Sequence, residues 1–302
     1  MQVRALQLFV EVARSESIRQ AAQRLNMLPT ALTRQIDSLE YFFRAELLDR
    51  GAAGIRLTEA GRLLAERATM IASDIDLTRA LIDDLRRLDR GHVAILAGGA
   101  VVGGLLAPVL AALHRRHPAL RFSIAVTSAA EVIAGVADGS AALGVTIFSP
   151  DSAGALIHRR FAIEHAVIVG AGHVFAAAPA VSLRMLAGAS LALPDTGFGA
   201  RQDLDRMARA ASLRLDPVFV TGSLDMQKAL ALRGVAALVL PPLCCRDEIE
   251  AGRLVAVRMA ADSAIRTTLD LCKAPNRSLP FAAQTVLADL ERCVPEALAG
   301  SG

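Results

Sequence analysis

The chain has 302 residues, 53% of them hydrophobic, 21% charged and 4% aromatic, with a formal net charge of +3. At roughly 100–200 residues per domain this predicts two or three domains, and so much apolar residue excludes intrinsic disorder. No apolar run approaches the roughly 18 residues of a membrane span, and Met1–Ala5 opens an amphipathic pattern rather than the apolar core of a secretory signal.

Four cysteines (Cys244, Cys245, Cys272 and Cys293) without CxxC spacing are no disulfide framework. They fit a reduced, cytoplasmic compartment. Lys228 and Lys273 are the only lysines. The arginine bias suits phosphate and carboxylate forks, though a GC-rich genome gives the same bias. Residues 1–62 hold nine Arg against seven Asp and Glu, only +2, so a nucleic-acid reading rests on arrangement rather than bulk charge.

In chain order, Leu6, Phe9, Val10 and Ala13 recur at helical spacing. Ser17 and Gln20 form a capping-box pattern that opens a second helix, whose buried stripe is Ile18, Ala21, Ala22 and Leu25. After the break Asn26–Leu28, Pro29 suits a helix's first turn, and Leu32, Ile36, Leu39 and Phe43 are that third helix's core face. Two short helices across a three-residue turn match helix-turn-helix spacing. Pro29, Thr30, Thr33 and Arg34 then stand at the end that enters a major groove. The competing reading is an ordinary helical hairpin. Gly51 and Gly54, followed by Ile55–Leu57, predict a hairpin or wing in which Arg50 and Arg56 could meet phosphate.

Thr58 caps a long helix. Leu64, Ala68, Ile71, Ile75, Thr78, Ile82 and Leu85 alternate at spacings of four and three, the coiled-coil repeat, which predicts a dimerisation seam, with a helix packed on its own chain as the competing reading. Beyond residue 90, strands alternate with helices: His92–Ala97, Leu105–Arg116, Arg121–Thr127, Glu131–Asp138, Ala141–Phe148, and later Leu191–Pro194, Ala200–Leu213, Pro217–Thr221, Leu224–Leu232, Ala236–Pro241, Arg246–Glu250 and Leu254–Arg258. That alternation predicts βαβ units with mostly parallel sheets. Ligands of such sheets bind outside the carboxyl ends of the strands. Ala100, Val101, Ser128, Thr146, Thr196, Phe198, Thr221 and Ser223 stand there, as candidate contacts to a small molecule or simply as turn and cap residues.

Catalytic constellations are poor. The six histidines show no metal-ligand spacing, and the glycine run Gly98–Gly104 lacks the lysine of a P-loop. No GxSxG occurs. The expectation is no catalytic residue, no metal and no cofactor.

The chain resembles the LysR-type transcriptional regulators, most densely over residues 4–67. The likeness rests on Leu6-x-x-Phe9-x-x-Val12-Ala13, Ser17-Ile18-x-x-Ala21-Ala22-x-x-Leu25, Ala31-Leu32-Thr33-Arg34-Gln35-Ile36-x-x-Leu39-Glu40, Leu47-Leu48-x-Arg50 and Ile55–Gly61. The resemblance implies an α/β chain of three parts: a winged helix-turn-helix over 1–57, a linker helix over 58–89, and a two-lobed, periplasmic-binding-protein-like effector domain over 90–302. Lobe I would take about 90–161 and 266–302, and lobe II about 162–265. It implies promoter DNA, a small-molecule effector and a homodimer or homotetramer as partners, with no membrane. By match to the motif, Thr30, Thr33 and Arg34 fall on the recognition helix, and Arg50 and Arg56 in or beside the wing. Three departures stand out: Leu28-Pro29 replaces the frequent Ser-Gln pair, the wing carries Ala52-Ala53, and the first strand-end loop, Gly99–Val101, has no hydroxyl to clamp a carboxylate. A solute binder or small-molecule enzyme with an appended helical domain, or an interaction protein using the long helix alone, are the competing readings.

Overall fold

The computed structural model describes residues 3–51, 54–85, 91–149, 151–275 and 277–299. It divides into two compact units, one centred on residues 1–88 and the other on 89–302.

The first unit contains helices α1 (Val3–Ala13), α2 (Ile18–Arg24) and α3 (Pro29–Phe43), strands β1 (Leu48–Gly51) and β2 (Gly54–Leu57), and helix α4 (Glu59–Leu85). Ser17 Oγ accepts the Gln20 N–H at 3.2 Å, while Gln20 Oε1 accepts the N–H of Glu16, one residue before the cap, at 2.9 Å. Pro29 opens α3, where its missing N–H leaves no bond unmade. Leu6, Phe9, Val12, Ala21, Leu32, Ile36 and Leu39 fill one core. Glu40 Oε1 accepts the N–H groups of Leu47 and Leu48, at 2.8 and 3.2 Å, tying α3 to the hairpin. The hairpin is antiparallel, with Asp49 opposite Arg56; Ala52 and Ala53 lie outside the described residues. Thr58 Oγ1 accepts the Gly61 N–H at 3.0 Å and caps α4. A Cβ on Gly61 would collide with the Leu47 carbonyl oxygen, so only glycine lets α4 start this close to β1.

Leu64 and Ala68, expected in a dimer seam, are instead buried in the unit's own core, where α4 packs on α1. Periodicity marks an apolar stripe without saying what covers it. Further along α4, Ile71 and Ile82 are exposed and Ile75 is half-buried. The side chain of Leu85 lies outside what is described.

The second unit contains β3 (His92–Ala97), a π turn (Val102–Leu106), α5 (Ala107–Arg116), β4 (Arg121–Val126), α6 (Ala129–Asp138), β5 (Leu143–Ile147), β6 (Ile157–Glu164), β7 (Ala166–Gly170), α7 (Leu183–Ala187), β8 (Ala192–Leu193), α8 (Gly199–Ala210), β9 (Phe219–Val220), α9 (Leu224–Leu232), β10 (Leu238–Leu240), α10 (Arg246–Glu250), β11 (Leu254–Arg258), β12 (Arg266–Cys272) and α11 (Phe281–Ala299). One lobe is a five-stranded sheet of order β4-β3-β5-β12-β6, its core closed by α5 and α11. The other is built on β10-β7-β11 and the pair β8-β9, with a core on each side of β7.

The expectation of mostly parallel sheets is also corrected. β3 runs parallel to β4 and β5, and β8 to β9, but β12 is antiparallel to β5 and β6, and β7 to β10 and β11. The antiparallel pairs follow from the two crossings between lobes. One passes from β6 through His165 into β7; the other returns from β11 to β12. A strand that returns through a crossing, rather than through a helix over the same sheet, can enter antiparallel.

Candidate functional site

On the first unit, the start of α3 presents Pro29, Thr30 and Arg34 to solvent, with Thr33 half-buried. Thr30 and Arg34 are four residues apart and share a helix face. Thr33 donates its hydroxyl proton to the Pro29 carbonyl at 3.0 Å, leaving the oxygen as an acceptor. Leu32, Ile36 and Leu39, buried on the opposite face, fix how far this surface projects. Arg56 is exposed on β2. Arg50 is placed in β1 opposite Ile55.

On the second unit, the Gly98 N–H bonds the Val145 carbonyl at 2.9 Å and the Thr127 N–H the Ala97 carbonyl at 3.0 Å, bringing the carboxyl ends of β3, β4 and β5 side by side. The Thr221 N–H bonds the Leu193 carbonyl at 3.0 Å, joining the ends of β8 and β9. Ala100 packs against the cores of both lobes.

Two expected contacts are corrected. Val101 is fully buried in the five-stranded lobe's core. Thr146 is 1% exposed, with its hydroxyl bonded to the Ile147 carbonyl. Both side chains are closed off from solvent.

Phe148 emerges at the end of β5 instead, at φ +62°, a strained conformation for a bulky residue. Its ring meets His165 edge to face at 5.6 Å, and a Cβ on Gly199 would stand 3.1 Å from it. Nothing in the sequence marks Phe148, the residue just past the strand, as the one whose backbone turns out of line.

The other expected residues lie at strand ends, and most of their polar groups are engaged locally. Ser128 and Glu131 form a reciprocal capping box at the start of α6, with Glu131 Oε2 accepting the Ser128 N–H at 3.0 Å and its hydroxyl at 2.8 Å. The Thr127 hydroxyl donates to the same oxygen. These bonds, Thr127's first, hold the Glu131 carboxyl below the usual carboxylate range. Ser223 Oγ caps α9 by accepting the Met226 N–H at 3.2 Å, and Thr221 Oγ1 accepts the Ser223 N–H. The Thr196 carbonyl accepts from Gln202 Nε2. Phe198 is 47% exposed, and a Cβ on Gly222 would stand 3.3 Å from its ring.

A cavity of about 360 Å³ lies at the lobe crossing, between Ile163, His165, Ala166, Pro241, Leu243 and Arg258. None of the eight expected effector residues lines it. His165 is buried with no hydrogen-bond partner at either ring nitrogen, and burial pushes its pKa down to about 4. Burial also pushes the Cys245 and Cys272 thiols up to about 12, and Cys244 further, which removes the thiolate that cysteine chemistry needs. Among the described residues, no His, Cys, Asp and Glu group could hold a metal, and no helix is long and apolar enough to cross a membrane.

The family model described as "LysR substrate binding domain" matches residues 86–293, and "Bacterial regulatory helix-turn-helix protein, lysR family" matches residues 3–62. The chain is 26% identical to the uncharacterized HTH-type transcriptional regulator YeiE of Escherichia coli (strain K12), over 88% of this chain and 89% of the relative. It is 28% identical to HTH-type transcriptional regulator BbuR of Bordetella bronchiseptica, over 88% and 82%. Among solved structures, a full-length OxyR point variant from Pseudomonas aeruginosa superposes with a TM-score of 0.69 at 17% identity, covering 100% of this chain and 98% of that one. Full-length CbnR complexed with its target DNA does so at 0.65 and 20%, covering 97% and 99%.

Proposed function

Because the chain belongs to the LysR family of DNA-binding transcriptional regulators with an effector-binding domain, we propose that it grips promoter DNA as a homo-oligomer and changes that grip when a small molecule enters between its lobes. The observation that carries the reading is the start of α3. It holds Thr30 and Arg34 out to solvent, with Thr33 beside them, on a helix whose other face is locked in a core. Small hydroxyls and a guanidinium there suit base edges and phosphates in a major groove. Arg56, with Arg50, supplies backbone contacts from the hairpin.

The chains pair through the part of α4 that its own core leaves uncovered, around Ile71, Ile75 and Ile82 and on to Leu85. The domains divide near residues 57 and 89, with lobe II inserted between the two segments of lobe I. The effector touches Ala100 and Ser128 on one lobe and Thr196, Phe198, Thr221 and Ser223 on the other. The protein is not an enzyme, needs no cofactor, and works in the bacterial cytoplasm where its DNA lies.

A gel shift with the duplex upstream of its own coding region tests this. Binding at low salt that weakens steeply as salt rises is expected from counterion release. No shift at low salt on any upstream fragment contradicts it.

A further inference from the structure

At the carboxyl end of β4 the chain holds an anion of its own. Three donors that could take a ligand's carboxylate, the Thr127 hydroxyl and the Ser128 N–H and hydroxyl, all point at Glu131 Oε2. A carboxylate arriving there would have to displace Glu131 and would meet its charge.

The strand ends of the other lobe offer the same sign. Asp195 Oδ1 accepts the Gly197 N–H at 2.8 Å, and its Oδ2 stands 3.9 Å from where a Cβ on Gly222 would lie. The Phe198 ring lies 3.3 Å from that same point. Phe148, seated against Gly199, brings a second aromatic ring to the residue that follows Phe198. Beneath the turn Thr221–Ser223, Gln227 is only 4% exposed. Its Nε2 donates to the Thr221 carbonyl at 2.8 Å, and its Oε1 is a buried acceptor with no donor. A buried acceptor without a donor is costly to leave unmade.

Two cations of these elements are already engaged. Arg201 is held by Asp205 and by the Pro194 carbonyl, and Lys228 by Glu248 at 2.7 Å. The two strand-end clusters therefore combine aromatic faces with carboxylates and an orphan carbonyl. An aromatic face attracts a cation through its quadrupole, and a carboxylate takes N–H donors in charge-assisted bonds.

We propose that the effector is an organic ammonium ion, with its cationic head against the Asp195 carboxylate and the Phe198 ring, and with Gln227 Oε1 taking an N–H as the turn adjusts around it. This rests on the strand ends being the effector site.

Thermal unfolding of the full-length chain, with isosteric probes at matched ionic strength, is the test. Benzylammonium and n-pentylammonium should raise the unfolding midpoint with concentration, since a ligand that binds only the native state stabilises it. Benzoate and pentanoate should not. Asp195→Asn keeps the oxygen that accepts the Gly197 N–H, so its unliganded midpoint should stay put while half-saturation by benzylammonium moves up about tenfold or more. Stabilisation by benzoate equal to or above that by benzylammonium overturns the proposal. So does no response to either ammonium, or an Asp195→Asn response equal to wild type. Ligand-free binding to the upstream duplex, measured alongside, separates the two levels: its absence contradicts the regulator reading, whereas a carboxylate response with intact DNA binding contradicts only the ammonium assignment.

Discussion

Asp270 and Arg160 face each other across the antiparallel pair β12–β6. The fully buried carboxylate takes two guanidinium donors, at 2.7 and 2.9 Å. β12 is the strand on which the chain returns from the second lobe, so this fork pins the return strand to the sheet. Asp270→Ala removes the buried acceptor of both bonds. About half of the Arg160 side chain is exposed and can turn to water. The expected loss is therefore about 2–3 kcal/mol rather than the larger cost of stranding a buried charge. Urea unfolding monitored by circular dichroism checks it, and a loss below half a kcal/mol, roughly the scale of a surface change, contradicts the role given to the fork.

Gly61→Ala should destabilise the helix-turn-helix unit. Its Cβ would meet the backbone oxygen of Leu47, which has no rotamer to escape into. Overpacking of this kind costs about 1–3 kcal/mol, and the first loss should be protection of α4's opening turn in hydrogen exchange. A variant as stable as the parent would mean that the approach of α4 to β1 is wrong.

The two halves of α4 should respond differently to charge. Ile75→Asp and Ile82→Asp place an unpaired charge in the proposed seam and should give a folded monomer by sedimentation. Leu64→Asp places it in the helix-turn-helix core and should unfold that unit. Dimers persisting in both seam variants would contradict the placement of the seam.

His165 predicts a pH signature. Its folded pKa, about 4, lies below the ordinary 6.5 because burial disfavours the charged ring. The folded chain therefore binds fewer protons, and stability from this residue is present above pH 6.5 and is lost as pH falls toward 4. The difference in unfolding free energy between wild type and His165→Gln should change by roughly 3 kcal/mol over that range. A constant difference would contradict the burial of the ring.

Much of this was legible from spacing. The box at Ser17 and Gln20, Pro29 at a first turn, and the stripe Leu32–Ile36–Leu39 each have one local cause, and each appears where its cause puts it. What was not legible depended on partners distant in sequence. Leu64 and Ala68 show the same periodicity whether covered by α1 or by another chain. Thr146 lies inside β5 while Phe148 lies just past its end at a positive φ, which breaks the strand's alternation, so spacing leaves unsaid where the Phe148 ring goes. Val101 stands just past Gly98-Gly99-Ala100 in an expected loop but turns into the core. Asp195 and Gln227 carried no motif, and only the meeting of the β8 and β9 ends gives them a shared setting.

Reading of DNA by α3 centres on Arg34. Fluorescence anisotropy of the labelled upstream duplex across a salt series, with wild type and Arg34→Ala side by side, checks it. Wild-type affinity should fall steeply with salt, and the variant should lose about 1–3 kcal/mol. Equal affinities for the two proteins, or wild-type binding indifferent to salt, would contradict it.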